Sequence, residues 1–197
     1  MASIYGVTIA GITKNAGNDD SSLAQGTVYL NGKELGQWAQ EEYGGPNIYR
    51  FDPFRLRGPA QQYFDHMSNL EKKVYEMLYC KNGKICIDFC DVLLADLVFQ
   101  MDLEKEYMRH IKDGPCTLVT FQHEKSASEM AARPYSVSPI RKACFSKSPM
   151  YKDEVKNLII QKGLDDAPHI VRIYNRPEDF IIGINAVKKK HSKSHHR

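Results

Sequence analysis

The chain has 197 residues, a formal net charge of +3, and ordinary hydrophobic (42%) and charged (26%) fractions. These values fit one globular domain, or at most two small ones, and exclude a disordered or fibrous protein. The sequence contains neither an N-terminal apolar signal segment nor an Asn-x-Ser/Thr site, so we expect a cytoplasmic protein.

The cysteine pattern agrees with a reducing compartment. The number of cysteines is odd, and no two are spaced as Cys-x-x-Cys. Because a disulfide framework needs pairs, we interpret the cysteines as reduced, buried small hydrophobes. They are Cys80, Cys86, Cys90, Cys116 and Cys144.

The first third of the chain is typical of antiparallel strands. Ser3–Lys14 is rich in β-branched residues, and Asn15–Ser22 has the composition of a loop. The clearest hairpin signal is Asn31-Gly32, because this pair favours the positive φ angles of a type I′ turn. It lies between the strand-like segments Thr27–Leu30 and Lys33–Trp38, and a short extended piece follows at Ile48–Phe51. We therefore predict an N-terminal β-meander.

Two helices are predicted next. Helical spacing of apolar residues begins at Gly58-Pro59 and stops at Asn82-Gly83. The second helix spans Asp88–Gly114, where Asp88 is the expected N-cap and Gly114 the expected left-handed stop. Its body is apolar on most sides, which predicts a buried central helix. Asp96 and Asp102 interrupt the apolar run, so the helix is not expected to span a membrane. The expected buried stripe comprises Leu93, Leu94, Leu97, Val98, Met101, Met108 and Ile111.

The last third is predicted to be β-β-α-β. Strand patterns occur at Thr117–Gln122, Tyr135–Val137 and His169–Tyr174, with a last apolar piece at Phe180–Ile184. A helix is expected to start at Ser148-Pro149 and to stop at Gly163. The fold class is α+β, with an antiparallel or mixed sheet packed around the long central helix. We expect residues 1–185 to form a single compact domain and residues 186–197 to form a disordered basic tail.

Several chemistries lack a sequence signal. The segment from Gly26 to Lys33 lacks the spacing and the Ser/Thr of a phosphate-binding loop, and no Gly-x-Gly-x-x-Gly is present. The histidines of the tail are not preorganised as metal ligands, so we expect neither a metal site nor a cofactor. We name no catalytic residue, and an enzyme is the less favoured class. Cys116, His123 and Cys144 would be the first residues to test for nucleophilic chemistry.

Two basic patches remain. Arg133–Lys152 contains five cations, no acidic residue and interleaved aromatic residues. The last ten residues carry five cations and no acid, so the rest of the chain is about two units negative. Cations with interleaved aromatics are suited to bind a phosphate backbone and to stack on bases. The candidate binding residues are Arg133, Tyr135, Arg141, Lys142, Phe145, Lys147, Lys152, Lys188, Lys189, Lys190, Lys193 and Arg197.

The favoured hypothesis is a small, non-catalytic binding, accessory or inhibitor protein. Its partner would be nucleic acid, or an acidic or nucleic-acid-handling protein, and no membrane is implied. One alternative is a hydrolase or transferase with a Cys/His site assembled from distant residues. Another is a structural subunit that binds protein through the aromatics Trp38, Tyr43 and Tyr49, which we expect to be exposed. Oligomeric state, sequence specificity and partner identity have no signal in the sequence.

Overall fold

The computed structural model describes residues 1–16, 22–40, 47–78, 80–81, 84–85, 88–123 and 142–183. The fold is α+β, as the sequence predicted, with a six-stranded mixed sheet, a three-stranded antiparallel sheet and one long helix. The chain divides into two units. The first comprises Met1–His66, Asp88–Asp102 and Phe180–Arg197, and the second comprises Met67–Ile87 and Leu103–Asp179.

The first unit contains the six-stranded sheet, whose strand order is β11-β1-β2-β3-β4-β5. Its strands are β1 (Ser3–Ile4), β2 (Val7–Ala16), β3 (Ser22–Leu30), β4 (Lys33–Ala39), β5 (Ile48–Tyr49) and β11 (Ile181–Ile182). Neighbouring strands from β1 to β5 are antiparallel, so the predicted meander is confirmed. The edge strand β11 pairs parallel with β1 and makes the sheet mixed.

Two tight turns shape this meander. Asn31 and Gly32 have φ angles of 51° and 79°, which confirms the predicted hairpin. Tyr5 and Gly6 have φ angles of 48° and 81° and form a second such turn. The segment predicted as one strand from Ser3 to Lys14 is therefore two strands. The sequence carried no Asn-Gly or Asp-Gly pair at this turn to indicate it.

The helix predicted from Gly58 to the Asn82-Gly83 break was wrong in its continuity. A 3₁₀ turn at Pro53–Leu56 leads into α1 (Arg57–Asp65), and α2 (Asn69–Leu78) follows as a separate helix. The Ser68 Oγ accepts from the Glu71 N–H at 3.2 Å, and the Glu71 carboxylate accepts from the Ser68 N–H at 3.0 Å. This capping box starts a new helix at a position where apolar periodicity alone indicates continuation.

The central helix, α3 (Phe89–His110), was predicted almost to the residue. The Asp88 carboxylate caps it by accepting from the Cys90 N–H at 2.8 Å and the Asp91 N–H at 3.4 Å. A 3₁₀ turn at Ile111–Asp113 ends the helix before Gly114. The predicted left-handed stop is wrong in its conformation, because Gly114 has φ 132° and ψ 177°, a region outside αL that favours glycine.

In the first unit, two carboxylates tie α3 to its neighbours. Asp91 accepts from the Tyr49 hydroxyl and from the Asn47 amide at 2.6 Å. Asp96, which is 6% exposed, accepts from the Tyr63 hydroxyl at 2.6 Å. Burial raises the pKa of Asp91, and the hydrogen bonds from Tyr49 and Asn47 oppose that shift. Neither carboxylate is therefore simply solvated.

The buried surface of α3 is narrower in the second half of the helix than in the first. Leu93, Leu94 and Leu97 are fully buried, as predicted. The prediction for Met108 was wrong, because its side chain is 42% exposed, whereas Tyr107 beside it is fully buried. Tyr107 carries a polar hydroxyl, so a purely apolar pattern does not predict that it is buried.

Trp38 also differs from expectation. Its side chain is 1% exposed, and Tyr49 is half-buried with its hydroxyl on Asp91. Neither is an exposed aromatic available for a protein interface. Tyr43, the third member of that predicted set, lies outside the described residues.

The second unit contains the three-stranded sheet, in the order β10-β8-β9, and a helix against it. The strands are β8 (Thr117–His123), β9 (Lys142–Ser146) and β10 (Pro168–Tyr174), and the helix is α4 (Lys152–Gln161). Strand β8 contributes Val119 and Phe121 to a buried cluster with Cys144 of β9 and Val155 and Ile159 of α4. The order β-β-α-β agrees with the prediction, but its second strand is Lys142–Ser146, which was not predicted as a strand, and the predicted strand Tyr135–Val137 lies outside the described residues.

The start of α4 was predicted three residues too early. Ser148 lies in a bend and Pro149 in no regular structure, and the helix begins after Tyr151, whose N–H donates to the Glu154 carboxylate at 2.8 Å. The stop at Gly163 is confirmed by a φ angle of 63°. Elsewhere in this unit, the short strands β6 (Cys80–Lys81) and β7 (Lys84–Ile85) pair antiparallel. In the part of the chain that the structure describes, no helix has both the length and the apolar character of a membrane span.

Candidate anion-binding cleft

An open cleft of about 570 Å³ lies in the second unit beside the end of β9. Four stretches of chain form it: the end of α3, the turn that follows, the end of β9 and the C-terminal half of α4. We call it the β9 cleft. Its lining residues are His110, Asp113, Gly114, Pro115, Cys116, Phe145, Ser146, Lys147, Leu158 and Lys162.

Lys162 fixes one wall of the β9 cleft. Its ammonium donates to the Phe145 carbonyl at 2.8 Å and lies 3.7 Å from the Cys144 sulfur. Phe145 lies on β9, an edge strand of its sheet, in register with Leu118 of β8. The bond to the Phe145 carbonyl holds the positive charge of Lys162 at the rim.

Two rings form the aromatic part of the wall. The His110 and Phe145 ring centroids are 4.2 Å apart, with an angle of 40° between the planes. The His110 Nε2 lies 3.3 Å from a Glu106 carboxylate oxygen, and the other oxygen accepts from Arg109 at 2.9 Å. This carboxylate orients the imidazole, which remains 47% exposed.

The segment that carries Lys147 is anchored by a buried threonine. Thr117 is 2% exposed, and its Oγ1 accepts from the Met150 N–H at 2.8 Å. The same hydroxyl lies 2.9 Å from the Ser148 carbonyl and 2.5 Å from the Asn175 Oδ1. The Asn175 amide in turn donates to the Met150 carbonyl at 3.1 Å. These bonds hold residues 148–150 outside the helix, which agrees with the late start of α4.

The charge at the β9 cleft is mainly positive. Lys142, Lys147 and Lys162 are exposed, and none forms an ion pair with a carboxylate of the described residues. Lys142 makes one long contact, with its ammonium 3.5 Å from the Leu164 carbonyl. Asp113 is the carboxylate among the lining residues, so the two lining lysines outweigh it. An anion entering the cleft would meet amino groups that are not already neutralised.

The structure brings together some of the sequence-predicted binding residues. Phe145 and Lys147 line the β9 cleft, and Lys142 starts the same strand. Lys152 is exposed at the first turn of α4 and does not line the cleft. The other candidates lie outside the described residues: Arg133, Tyr135, Arg141, Lys188, Lys189, Lys190, Lys193 and Arg197.

Sequence reasoning missed two of the lining residues as binding groups. Lys162 precedes Gly163 and looked like ordinary helix-end charge, and His110 looked like a partner of the helix dipole. Their roles depend on contacts with Phe145, which is 17 positions before Lys162 and 35 after His110. No local spacing signals such contacts.

Two cysteines of this unit, Cys116 and Cys144, are buried. Cys116 lines the β9 cleft but is 4% exposed, and burial raises its pKa, opposed by a hydrogen bond with Tyr107. Burial also raises the pKa of Tyr107 to about 12. Both groups therefore stay protonated at neutral pH. Cys144 is a free thiol inside the apolar cluster, and the side chain of His123 is outside what the structure describes.

Metal binding has no support in the described residues, where no three His, Cys, Asp or Glu side chains are grouped suitably for an ion. Comparison of the chain with protein-family models, with curated proteins and with solved structures gave no match. The β9 cleft and its charges are therefore the features of the structure that bear on function.

Proposed function

We propose that the protein is a cytoplasmic, non-catalytic binding protein that engages a nucleic acid through its phosphates. The binding surface includes Lys142, Lys147 and Lys162 at the β9 cleft. The cations of the Arg133–Lys152 segment and of the C-terminal tail add to the attraction. Neutralising several phosphates releases counterions, which is the main source of affinity in such complexes.

One observation carries this proposal. The three lysines at the β9 cleft lack an ion pair with any described carboxylate, although the chain as a whole has nearly as many acidic as basic residues. Cations that only solubilise a surface are commonly interspersed with acids. An open cleft with a half-buried aromatic ring beside them favours a ligand over that simpler role.

The thiols support a binding role over nucleophilic catalysis. The cysteines at and near the cleft are buried, and the pKa of Cys116 is raised, so a thiolate is disfavoured. Their free state agrees with a reducing compartment.

The test measures binding of a fluorescein-labelled single strand by anisotropy at about 50 and 200 mM salt. Affinity should fall steeply with salt. The double variant Lys142→Ala, Lys147→Ala should weaken binding and reduce the slope of log K against log salt by about 1.4, roughly 0.7 for each lost phosphate contact.

The matched control is Lys33→Ala, which removes an exposed lysine in the β3–β4 hairpin of the first unit. It lowers the net charge but leaves the β9 cleft intact. A slope reduced equally by one Lys33 change and by one cleft change would show diffuse attraction and contradict the proposed surface. Absence of binding at the lower salt concentration would reject the function itself.

A further inference from the structure

We propose that the β9 cleft receives one unstacked nucleotide of a single-stranded nucleic acid. This inference rests on the proposed polyanion binding and adds the base to the phosphate as a recognised group. It predicts a preference for single strands over duplexes and over a backbone without bases.

The dimensions of the cleft suit this ligand. Its volume of about 570 Å³ is in the range of ligand pockets, about 300–1,000 Å³. Pro115 and Leu158 give apolar surface to the wall, and charged groups lie beside them. A nucleotide has the same division, with an apolar base face and an anionic phosphate.

The rings supply a platform for the base. His110 lies against Phe145, with centroids 4.2 Å apart, and the imidazole is 47% exposed. An incoming base would stack on the exposed part of the imidazole in this tilted ring pair. Stacking on aromatic side chains is tolerant of sequence, because every base presents a π face.

The two lining lysines supply the donors for the phosphate. Lys162 uses one N–H on the Phe145 carbonyl and a second on the Cys144 sulfur, which leaves one of its three ammonium hydrogens available. Lys147 makes no hydrogen bond or ion pair with a described residue, so all three of its donors are available. The bond that fixes Lys162 also fixes the Phe145 backbone, so the phosphate and base positions are set together.

A duplex cannot use this arrangement. Its bases are paired and stacked on both faces, and extruding one costs a few kcal/mol. A duplex therefore reaches only the lysines at the rim. The aromatic part of the cleft distinguishes a single strand from a duplex that carries the same charge density or more.

The experiment compares three fluorescein-labelled probes at one salt concentration: oligothymidylate of about 12 nucleotides, an abasic strand with the same number of phosphates, and a duplex of that length. Oligothymidylate should bind about tenfold more tightly than the abasic strand. Phe145→Leu keeps apolar bulk but removes the ring, so it should abolish most of that ratio while the abasic affinity stays within about twofold.

Phe54→Leu is the matched control, because Phe54 is 72% exposed and belongs to the first unit. It should preserve the ratio. His110→Ala removes the outer ring and serves as the second variant if Phe145→Leu lowers the melting temperature. A tenfold ratio that survives both cleft variants overturns the assignment of the base to this cleft.

Two results separate this inference from the proposed function. Equal affinity for oligothymidylate and for the abasic strand overturns base recognition but leaves phosphate binding intact. Failure of all three probes to bind overturns both.

Discussion

At the scale of single residues, Asp91 shows how a carboxylate is used inside this fold. It is half-buried and accepts hydrogen bonds from Tyr49 and Asn47, and burial raises its pKa above the ordinary value. A raised pKa means that the folded protein holds the proton more tightly than the unfolded chain. The stability contribution of this group is therefore fully present below the unfolded pKa of about 3.9 and is lost as pH rises through the folded pKa.

Asp91→Asn should remove that pH-dependent loss. The amide oxygen keeps an acceptor for the Tyr49 hydroxyl and has no charge to desolvate. The free energy of unfolding, measured by urea at a series of pH values from acid to neutral, should fall less with rising pH in the variant than in the wild type. Asp113→Asn, at an exposed carboxylate, is the control for the chemical change from Asp to Asn. Parallel curves for Asp91→Asn would mean that burial does not shift this group.

At the scale of elements, Thr117 of β8 anchors the segment that connects β9 to α4. Its hydroxyl accepts from Met150 and lies within hydrogen-bond distance of Ser148 and Asn175. Thr117→Val keeps the shape but leaves the buried Met150 N–H without this acceptor, so it should destabilise the protein by about 1–3 kcal/mol. Because these bonds hold the segment beside Lys147, the variant should also weaken binding of a single strand.

Thr120→Val is the matched control for this prediction. Thr120 is 1% exposed on the same strand, and no hydrogen bond of its hydroxyl to Ser148, Met150 or Asn175 is found among the described residues. Chemical denaturation measures stability, and anisotropy measures binding. If Thr117→Val loses stability but binds as well as the Thr120 variant, the anchor has no role in positioning the cleft.

The same elements show what the sequence could predict. Helix α3 was found because cap, apolar body and stop are all local, and the Asn31-Gly32 hairpin was found because its turn chemistry is local. The break at Ser68 and the late start of α4 were missed. The break at Ser68 has a local signal, the capping box of Ser68 and Glu71, which apolar spacing alone overlooks. The late start of α4 depends on the bond between Thr117 and Met150, 33 positions apart, which no local pattern signals.

At the scale of the whole molecule, charge is unevenly distributed along the chain, and the sequence shows this directly. Only part of the cleft could be predicted from the sequence. Phe145, Lys147 and Lys142 lie in one basic segment. His110 and Lys162 come from the ends of two helices elsewhere in the chain. Contacts across 17 and 35 positions leave no periodic trace in the sequence. The prediction that Trp38 is exposed was wrong, because an aromatic side chain in a strand can face either the core or the solvent.

Removal of residues 186–197 tests the charge distribution at this scale. The deletion removes five cations, so binding of a single strand should weaken and its salt dependence should become shallower. The melting temperature should be unchanged within about 2 °C, because low apolar content gives this segment little to bury. The control is full-length protein with the five cations replaced by glutamine. A large fall in melting temperature would show that the tail is structural.

The pairing of β1 with β11 has a consequence for biosynthesis. Ser3 is in register with Ile181, so the six-stranded sheet joins residues almost 180 positions apart. A nascent chain has to carry its first strand, unpaired on that side, until Ile182 has left the ribosome. Such distant closure delays the final folding step, and it makes this exposed edge the place where a newly made chain is most open to chaperones or to association with another copy.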